Sequence, residues 1–304
     1  MTYTAGSVID DADYNGFAAS TDTVWGSGGG TNGYGQTNTV GFAGAGATVT
    51  ATQWATLLTR IASAAAHQGT TISAIANPTA GNTIAAYAAL STNVSAISGN
   101  SNAASSGSDS TATTSTTSGW TASATTSKTV TFASANAMRY FFNSGGMIRI
   151  GFSRSGGTAS SQNTSWSTLL TSAGAIVLTG AGSPGAQKTI AGTLYYGTTK
   201  IGGSGTATTL AEGVGAYNLT GSPQTLYQQY ATTYTYTANY VQITATATST
   251  VITFAVTLID TGGTGVDLVD GTLAMTTTIR QPSTTYIANT WGTITQNAAT
   301  WSVS

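Results

Sequence analysis

The sequence predicts a mainly β protein: a small N-terminal part with two helices, a Ser/Thr linker and an antiparallel, sandwich-like C-terminal domain. Three observations predict it. Between 233 and 260, Thr alternates with Tyr, Val, Ile and Phe over two or three strand lengths, the period-two pattern of half-buried strands. Two long helical stripes both fall before residue 100. Beyond 128 the strands follow one another at short spacing without alternating helices, which favours an antiparallel over a parallel arrangement.

At 304 residues the chain has room for two domains, or for one large one with an appendage. Its first fifty residues are Gly-rich. Tyr3, Val8 and Ile9 fit a brief strand, and the glycines of 24–36 let the backbone turn so that Trp25 and Tyr34 pack onto neighbours. Thr50 and Gln53 then stand at capping-box spacing, ahead of an apolar stripe of Trp54, Leu57, Leu58 and Ile61 that ends near His67. A second helix is expected over 82–97. Its Tyr87, Leu90, Val94 and Ile97 follow the 3-4-3 spacing of a coiled-coil seam. Both stripes are read as assembly surfaces between copies, which makes 1–104 a docking and oligomerisation region.

Residues 99–127 are a Ser/Thr/Gly low-complexity run with little apolar surface to offset the entropy of ordering it, so 105–127 is assigned as a linker. The β-rich domain, 128–304, opens on its best packing unit. A strand over 129–132 leads to a short helix capped by Ser134, with Met138, Phe141 and Phe142 on one face. A second strand places Ile148, Ile150 and Phe152 together. A helix over 165–172, a strand over 175–179 and a hairpin of 193–196 with 198–201 around Gly197 follow. Gly262 and Gly263 form a turn, 271–280 returns as a strand, and Trp291 and Trp301 lie in short extended segments.

The composition limits function. Lys plus Arg number 8 and Asp plus Glu 9, which is 6% charged residues and a net charge of −1. Soluble proteins carry about 25%. Such a surface exerts no pull on nucleic acid or anionic membrane and favours association with other protein. No apolar run reaches the roughly 18 residues of a membrane span, and MTYTAGSVIDD has neither the basic nor the apolar region of a signal peptide. Without cysteine there are no disulfides and no thiolate metal sites.

The catalytic inventory is thin. His67 is the single histidine and Glu212 the single glutamate. A Ser-His-Asp triad would have to use His67, which stands where a histidine caps helix carbonyls. A paired-carboxylate hydrolase would draw on aspartates that lie mostly in Gly-flanked turns. No catalytic residue and no cofactor or metal site is assigned. Asp11, Asp13, Asn15 and Gly16, followed by Asp22, reproduce calcium-loop spacing, but their flanks lack the pattern of paired helices, and Asp and Asn also favour plain turns. A second acidic turn holds Asp260, Asp267 and Asp270. GSGGG at 26–30 and GGSG at 202–205 lack the Lys-Ser/Thr ending of a phosphate loop. The tyrosines of 227–240 read as half-buried sheet packing, with a carbohydrate- or receptor-contacting face as the alternative.

Four stretches carry a resemblance: Asp13-Tyr14-Asn15 with VWGSGGGTNGYGQ; TVTATQWATLLTRI ending in His67-Gln68-Gly69; RYFFNSGGMIRIGFSRSGG with SQNTSW; and TFAVTLIDTGGTG leading to VDGTL. As a set they resemble virion structural proteins of tailed bacteriophages, especially those of marine and cyanobacterial hosts. The resemblance implies a particle component of tail-fibre or baseplate-associated type, commonly trimeric, and brings no catalytic residue. The expected function is therefore structural, not enzymatic, in a virion made in the host cytoplasm. Its expected partners are copies of itself, other virion proteins and a host-surface receptor. A capsid decoration or neck protein and a host-binding module are the alternatives.

Overall fold

The computed structural model describes residues 10–77, 86–181, 187–261 and 268–304. Among the described residues five helices accompany three sheets, with more strand than helix and almost entirely antiparallel pairing. Expected strand residues Tyr3, Val8 and Ile9, and the turn at Gly262 and Gly263, lie outside the described residues.

The N-terminal part holds three helices where two were expected. The unexpected one, α1 (Asp11–Trp25), starts where the Asp10 carboxylate accepts the Asp13 N–H at 2.9 Å. Its Tyr14, Phe17, Ala18, Thr21, Val24 and Trp25 are all buried. Helix α2 (Ala51–Gln68) has the expected capping box. Thr50 N donates to Gln53 Oε1 at 2.9 Å, and Gln53 N to Thr50 Oγ1 at 3.1 Å. It ends on Gly69, whose φ of 68° is the left-handed value that glycine takes without strain. Helix α3 (Tyr87–Gly99) completes the layer.

The assigned linker is not a linker. Following the two-residue β1 (Ala103–Ala104), the low-complexity run forms β2 (Ser106–Thr116), then β3 (Ser123–Thr131). Composition argued for disorder because it ignores a partner far along the chain. Strand β2 pairs without a break from Thr116–Leu273 to Asp109–Arg280.

Helix α4 (Ala135–Asn143) begins at the expected Ser134 cap and leads into β4 (Met147–Ser155). Ile148 and Ile150 are buried as expected. So is Met147, on the opposite face, where it packs with Val177, Ile190 and Tyr195. Helix α5 (Ser161–Ala173) and β5 (Ala175–Leu178) follow, then β6 (Lys188–Ile190), β7 (Thr193–Tyr195), β8 (Thr198–Ile201) and β9 (Thr209–Leu210). The expected hairpin around Gly197 does not form: β7 pairs with β6, and β8 with β5. Strand β7 instead closes a tight hairpin with the strand just before it, across Ala191 and Gly192 at φ 48° and 80°, and β8 takes the edge of the earlier β5.

A 3-10 turn (Ala216–Asn218) precedes β10 (Gln224–Tyr230), β11 (Tyr240–Ala247), β12 (Val251–Ile259) and β13 (Thr272–Pro282). The short β14 (Thr295–Gln296) and β15 (Trp301–Val303) both pair with β3. The larger sheet runs β14-β3-β12-β11-β10-β9; a second runs β2-β13-β4-β5-β8, and a third β1-β6-β7, in which β1 and β6 are parallel. One connected core joins Tyr14, Trp54 and Leu57 of the helices to Phe141, Phe254 and Met275 of the β-rich half. Asn143 reinforces the joint. Its side-chain amide donates to the carbonyls of Gly30, Asn32 and Gly33 and accepts from Tyr217 Oη.

Candidate functional site

The residues expected to join copies of the chain are used inside it. Trp54, Leu57, Ile61, Leu90, Val94 and Ile97 are buried in the core, and Leu58 and Tyr87 pack half-buried against it. The two stripes pack with α1 to form the N-terminal layer, so neither is presented as a seam.

The calcium-loop pattern is also overturned. Asp11, Asp13, Asn15 and Asp22 all lie on helix α1, whose geometry sends alternate residues to different sides. The Asp11 carboxylate accepts Gly46 N at 3.1 Å, and that of Asp22 accepts Val40 N at 2.9 Å. Asn15 exchanges a donor and an acceptor with Ala43. These side chains tie the 40–46 segment to the helix. Among the described residues, no three His, Asp or Glu side chains are grouped to hold a metal ion.

The second acidic turn divides. Asp270 accepts from Thr158 N and Oγ1, from Asn163 Nδ2 and from Arg154, and these hydrogen bonds, those of Thr158 first, hold its carboxyl below the usual range. Buried Asp260 accepts from Gln162 Nε2 and Trp166 Nε1. Asp267 lies outside the described residues. A groove of ≈ 560 Å³ beside α5 is lined mostly by Ser and Thr residues, with Arg154 and Asn163 among them. That guanidinium is already bonded to Asn163 O, Ser167 Oγ and Asp270.

His67 is fully buried with its Nε2 3.1 Å from the Ser144 carbonyl, so Nε2 carries the proton and donates. Its Nδ1 has no partner among the described residues. Burial pushes its pKa down to about 4, the Ser144 contact opposes this, and the Lys188 charge adds to it. Lys188, also buried, donates to Asn143 O at 2.7 Å and Ser101 O at 2.9 Å, and burial lowers its pKa to about 7. Together they form a polar joint between α2, α4 and β6. Glu212 stands exposed in the turn after β9, apart from that joint.

Two surfaces remain. The first is the edge strand β2, whose Ser108, Asp109, Ser110, Thr111, Thr113 and Ser115 are exposed. Natural sheets blunt a free edge with lysine, proline or a covering loop. This strand has no lysine or proline. Its single charge, Asp109, is neutralised on its own sheet by Arg280 Nε at 2.6 Å and Arg149 Nη2 at 2.8 Å. Thr111 meets Thr278 hydroxyl to hydroxyl at 3.2 Å, and Thr113 meets Thr276 at 3.5 Å. Only Thr114 is covered, its carbonyl accepting Trp301 Nε1 at 3.1 Å.

The second is the outward face of the larger sheet. Its inner face is closed by Ala124, Val130, Ile252, Phe254, Val256, Val241, Ile243 and Tyr227. The outward residues are Thr, Ser, Gln and Tyr with Val251, Ala255 and Ile259, and none is charged. Across β10 and β11, Gln228 stands opposite Gln242 and Tyr230 opposite Tyr240, with the two tyrosine rings 5.2 Å apart. Gln228 Nε2 lies 3.4 Å from Tyr230 Oη. The expected strand over 233–239 is instead a loop. It carries Tyr234, 59% exposed, at φ +57°. A bulky residue in that conformation costs on the order of 1–3 kcal/mol.

No family model, curated protein or solved structure matches the chain.

Proposed function

We propose that the chain is a structural subunit of a tailed-phage virion, of tail-fibre or baseplate-associated type, that assembles by contacts with copies of itself and with neighbouring virion proteins. The observation that carries this reading is the edge of β2: eleven residues of Ser, Thr, Gly and Ala with one internally neutralised charge. Such an edge accepts a further strand, the main-chain bonds supplying affinity and the flat threonine face allowing close approach. A chain with 6% charged residues has little net charge to keep copies apart. The two larger sheets, bridged where Trp301 reaches Thr114, support a sandwich-like layering.

Contact between two β2 edges is isologous and closes as a dimer. The favoured trimer requires β2 to dock on a different surface of the next copy. The helical layer shares the core of the sheets, so docking on the particle is assigned to its outer surface and not to a separately folded module. The reading is not enzymatic.

Native mass spectrometry of the purified chain tests assembly, and an image of particles carrying the labelled chain tests location. An oligomer that falls to monomer in the Ser110→Lys, Thr111→Lys double variant, with the fold retained, is expected. A wild-type monomer at high concentration, or a chain absent from particles, overturns the reading. Copy number separates a fibre from a capsid decoration or neck protein, since decoration requires many more copies.

A further inference from the structure

We propose that the hairpin bearing Tyr230, Tyr234 and Tyr240 is a binding subsite for a neutral carbohydrate. The inference is independent of the assembly reading: it concerns the larger sheet and not the β2 edge.

Three observations converge. Tyr230 and Tyr240 are cross-strand partners with ring centroids 5.2 Å apart, and Tyr230 is 36% exposed. Their faces offer the negative quadrupole that attracts the C–H bonds of an uncharged sugar ring. Two register positions away on the same face, Gln228 and Gln242 also stand opposite each other. Each amide carries both donors and acceptors, and adjacent sugar hydroxyls require both at once. The Gln228 amide near Tyr230 Oη also holds that ring in place.

The third observation is the loop. Tyr234 takes a left-handed backbone conformation that glycine or asparagine adopts at far less cost, yet its ring is directed to solvent. The loop is held from both ends. Ala231 N donates to Asn239 O, Asn239 N to Tyr236 O, and Thr261 N to Asn239 Oδ1. A strained, braced, exposed tyrosine points to a contact outside the chain.

Charge selects the ligand. No Lys, Arg, Asp or Glu lies on the outward positions of β3, β10, β11 or β12, so nothing there recognises a sulfate, uronate or sialate. A second protein would bury a more apolar centre than this field of Thr, Ser and Gln provides.

The test is saturation-transfer NMR on the full chain with neutral oligosaccharides of glucose, galactose and mannose, beside sialylated and uronate-containing ones. Binding of at least one neutral sugar is expected, with little transfer to the acidic set. Tyr230→Ala or Tyr240→Ala should weaken it about 10-fold, the worth of one aromatic stacking contact. Tyr234→Asn should weaken binding while raising the melting temperature, because it relieves the backbone, and this outcome separates a lost contact from a lost fold. The proposal is overturned by absence of transfer from every neutral sugar, by preference for the acidic set, or by binding unchanged in the folded tyrosine variants. It is equally overturned if those variants dissociate an oligomer, since the face would then be a protein interface.

Discussion

Gln36 and Ala288, 252 positions apart, exchange two hydrogen bonds: Gln36 Nε2 donates to the Ala288 carbonyl at 3.0 Å, and Ala288 N donates to Gln36 Oε1 at 2.9 Å. The glutamine is buried, so its side chain acts as a one-residue strand that binds the N-terminal segment to the C-terminal one. Gln36→Ala should leave both backbone groups unpaired and cost about 1–3 kcal/mol, read from the midpoint of urea unfolding. An unchanged midpoint would show that the joint carries no stability.

Deletion of 1–104 should prevent the remaining chain from folding. The helical residues Tyr14, Trp54, Leu57 and Ile61 belong to the same core as Phe141 and Phe254, and removing them exposes that face to water. Burial of one such side chain stabilises by about 1.5–3 kcal/mol, so losing several exceeds the margin of most domains. Circular dichroism and limited proteolysis of the 105–304 fragment would decide it. A cooperative unfolding transition in that fragment would count against a shared core.

Stability should fall as the medium is acidified from about pH 6.5 to about pH 4 through His67. Burial holds its folded pKa near 4, below the unfolded value, so the unfolded chain takes up the proton first. The stability present above pH 6.5 is therefore lost progressively toward pH 4, by on the order of 3 kcal/mol if the full shift is expressed. Lys188 acts in the same direction at higher pH. Its pKa is lowered to about 7, so stability rises from there toward the unfolded lysine value. The Lys188→Met variant should flatten the alkaline part of the profile and make the acid part slightly shallower, because burial, the larger cause of the His67 shift, stays while the Lys188 charge is lost. Thermal denaturation across pH 4–10 reads both.

Local patterns were legible in the sequence and distant pairings were not. Thr50, Gln53 and Ser134 mark helix starts through contacts with residues three positions away, and the structure has those caps. Strand β2 was unreadable because its order comes from β13, whose Thr278 meets Thr111 across 167 positions. The same reason moved β8 to the edge of β5, whereas β7 was drawn to a nearer partner, β6, by the turn at Ala191 and Gly192. Helix α1 was legible in principle. Tyr14, Phe17, Ala18, Thr21, Val24 and Trp25 recur at helical spacing, but the calcium-loop motif at Asp11, Asp13 and Asn15 drew attention to the polar face. Of the candidate surfaces, the tyrosines were singled out on composition, while the exposure of Tyr234 and the pairing of Gln228 with Gln242 required the fold.

Asp109→Ala should weaken assembly more than it weakens folding. The carboxylate is about one-third exposed and bridges Arg149 and Arg280, so its removal costs the fold under about 1 kcal/mol by the measure of exposed ion pairs. Hydrogen bonding from Arg280, the larger cause, keeps Asp109 ionised below the usual carboxylate range. Its contribution is present above the unfolded aspartate pKa, is lost only as pH falls below it, and does not overlap the His67 window. At the edge, by contrast, the variant leaves two unopposed arginines beside β2, and in the isologous contact the β2 edge of another copy brings the same two arginines against them. That repulsion is screened: the Debye length shortens from about 10 Å at 0.1 M salt to about 3 Å at 1 M. Sedimentation velocity at the two salt concentrations should show the variant dissociated at the lower and reassociated at the higher, with a melting temperature close to wild type at both. A variant that assembles normally at 0.1 M would exclude the pairing of two β2 edges as the contact between copies.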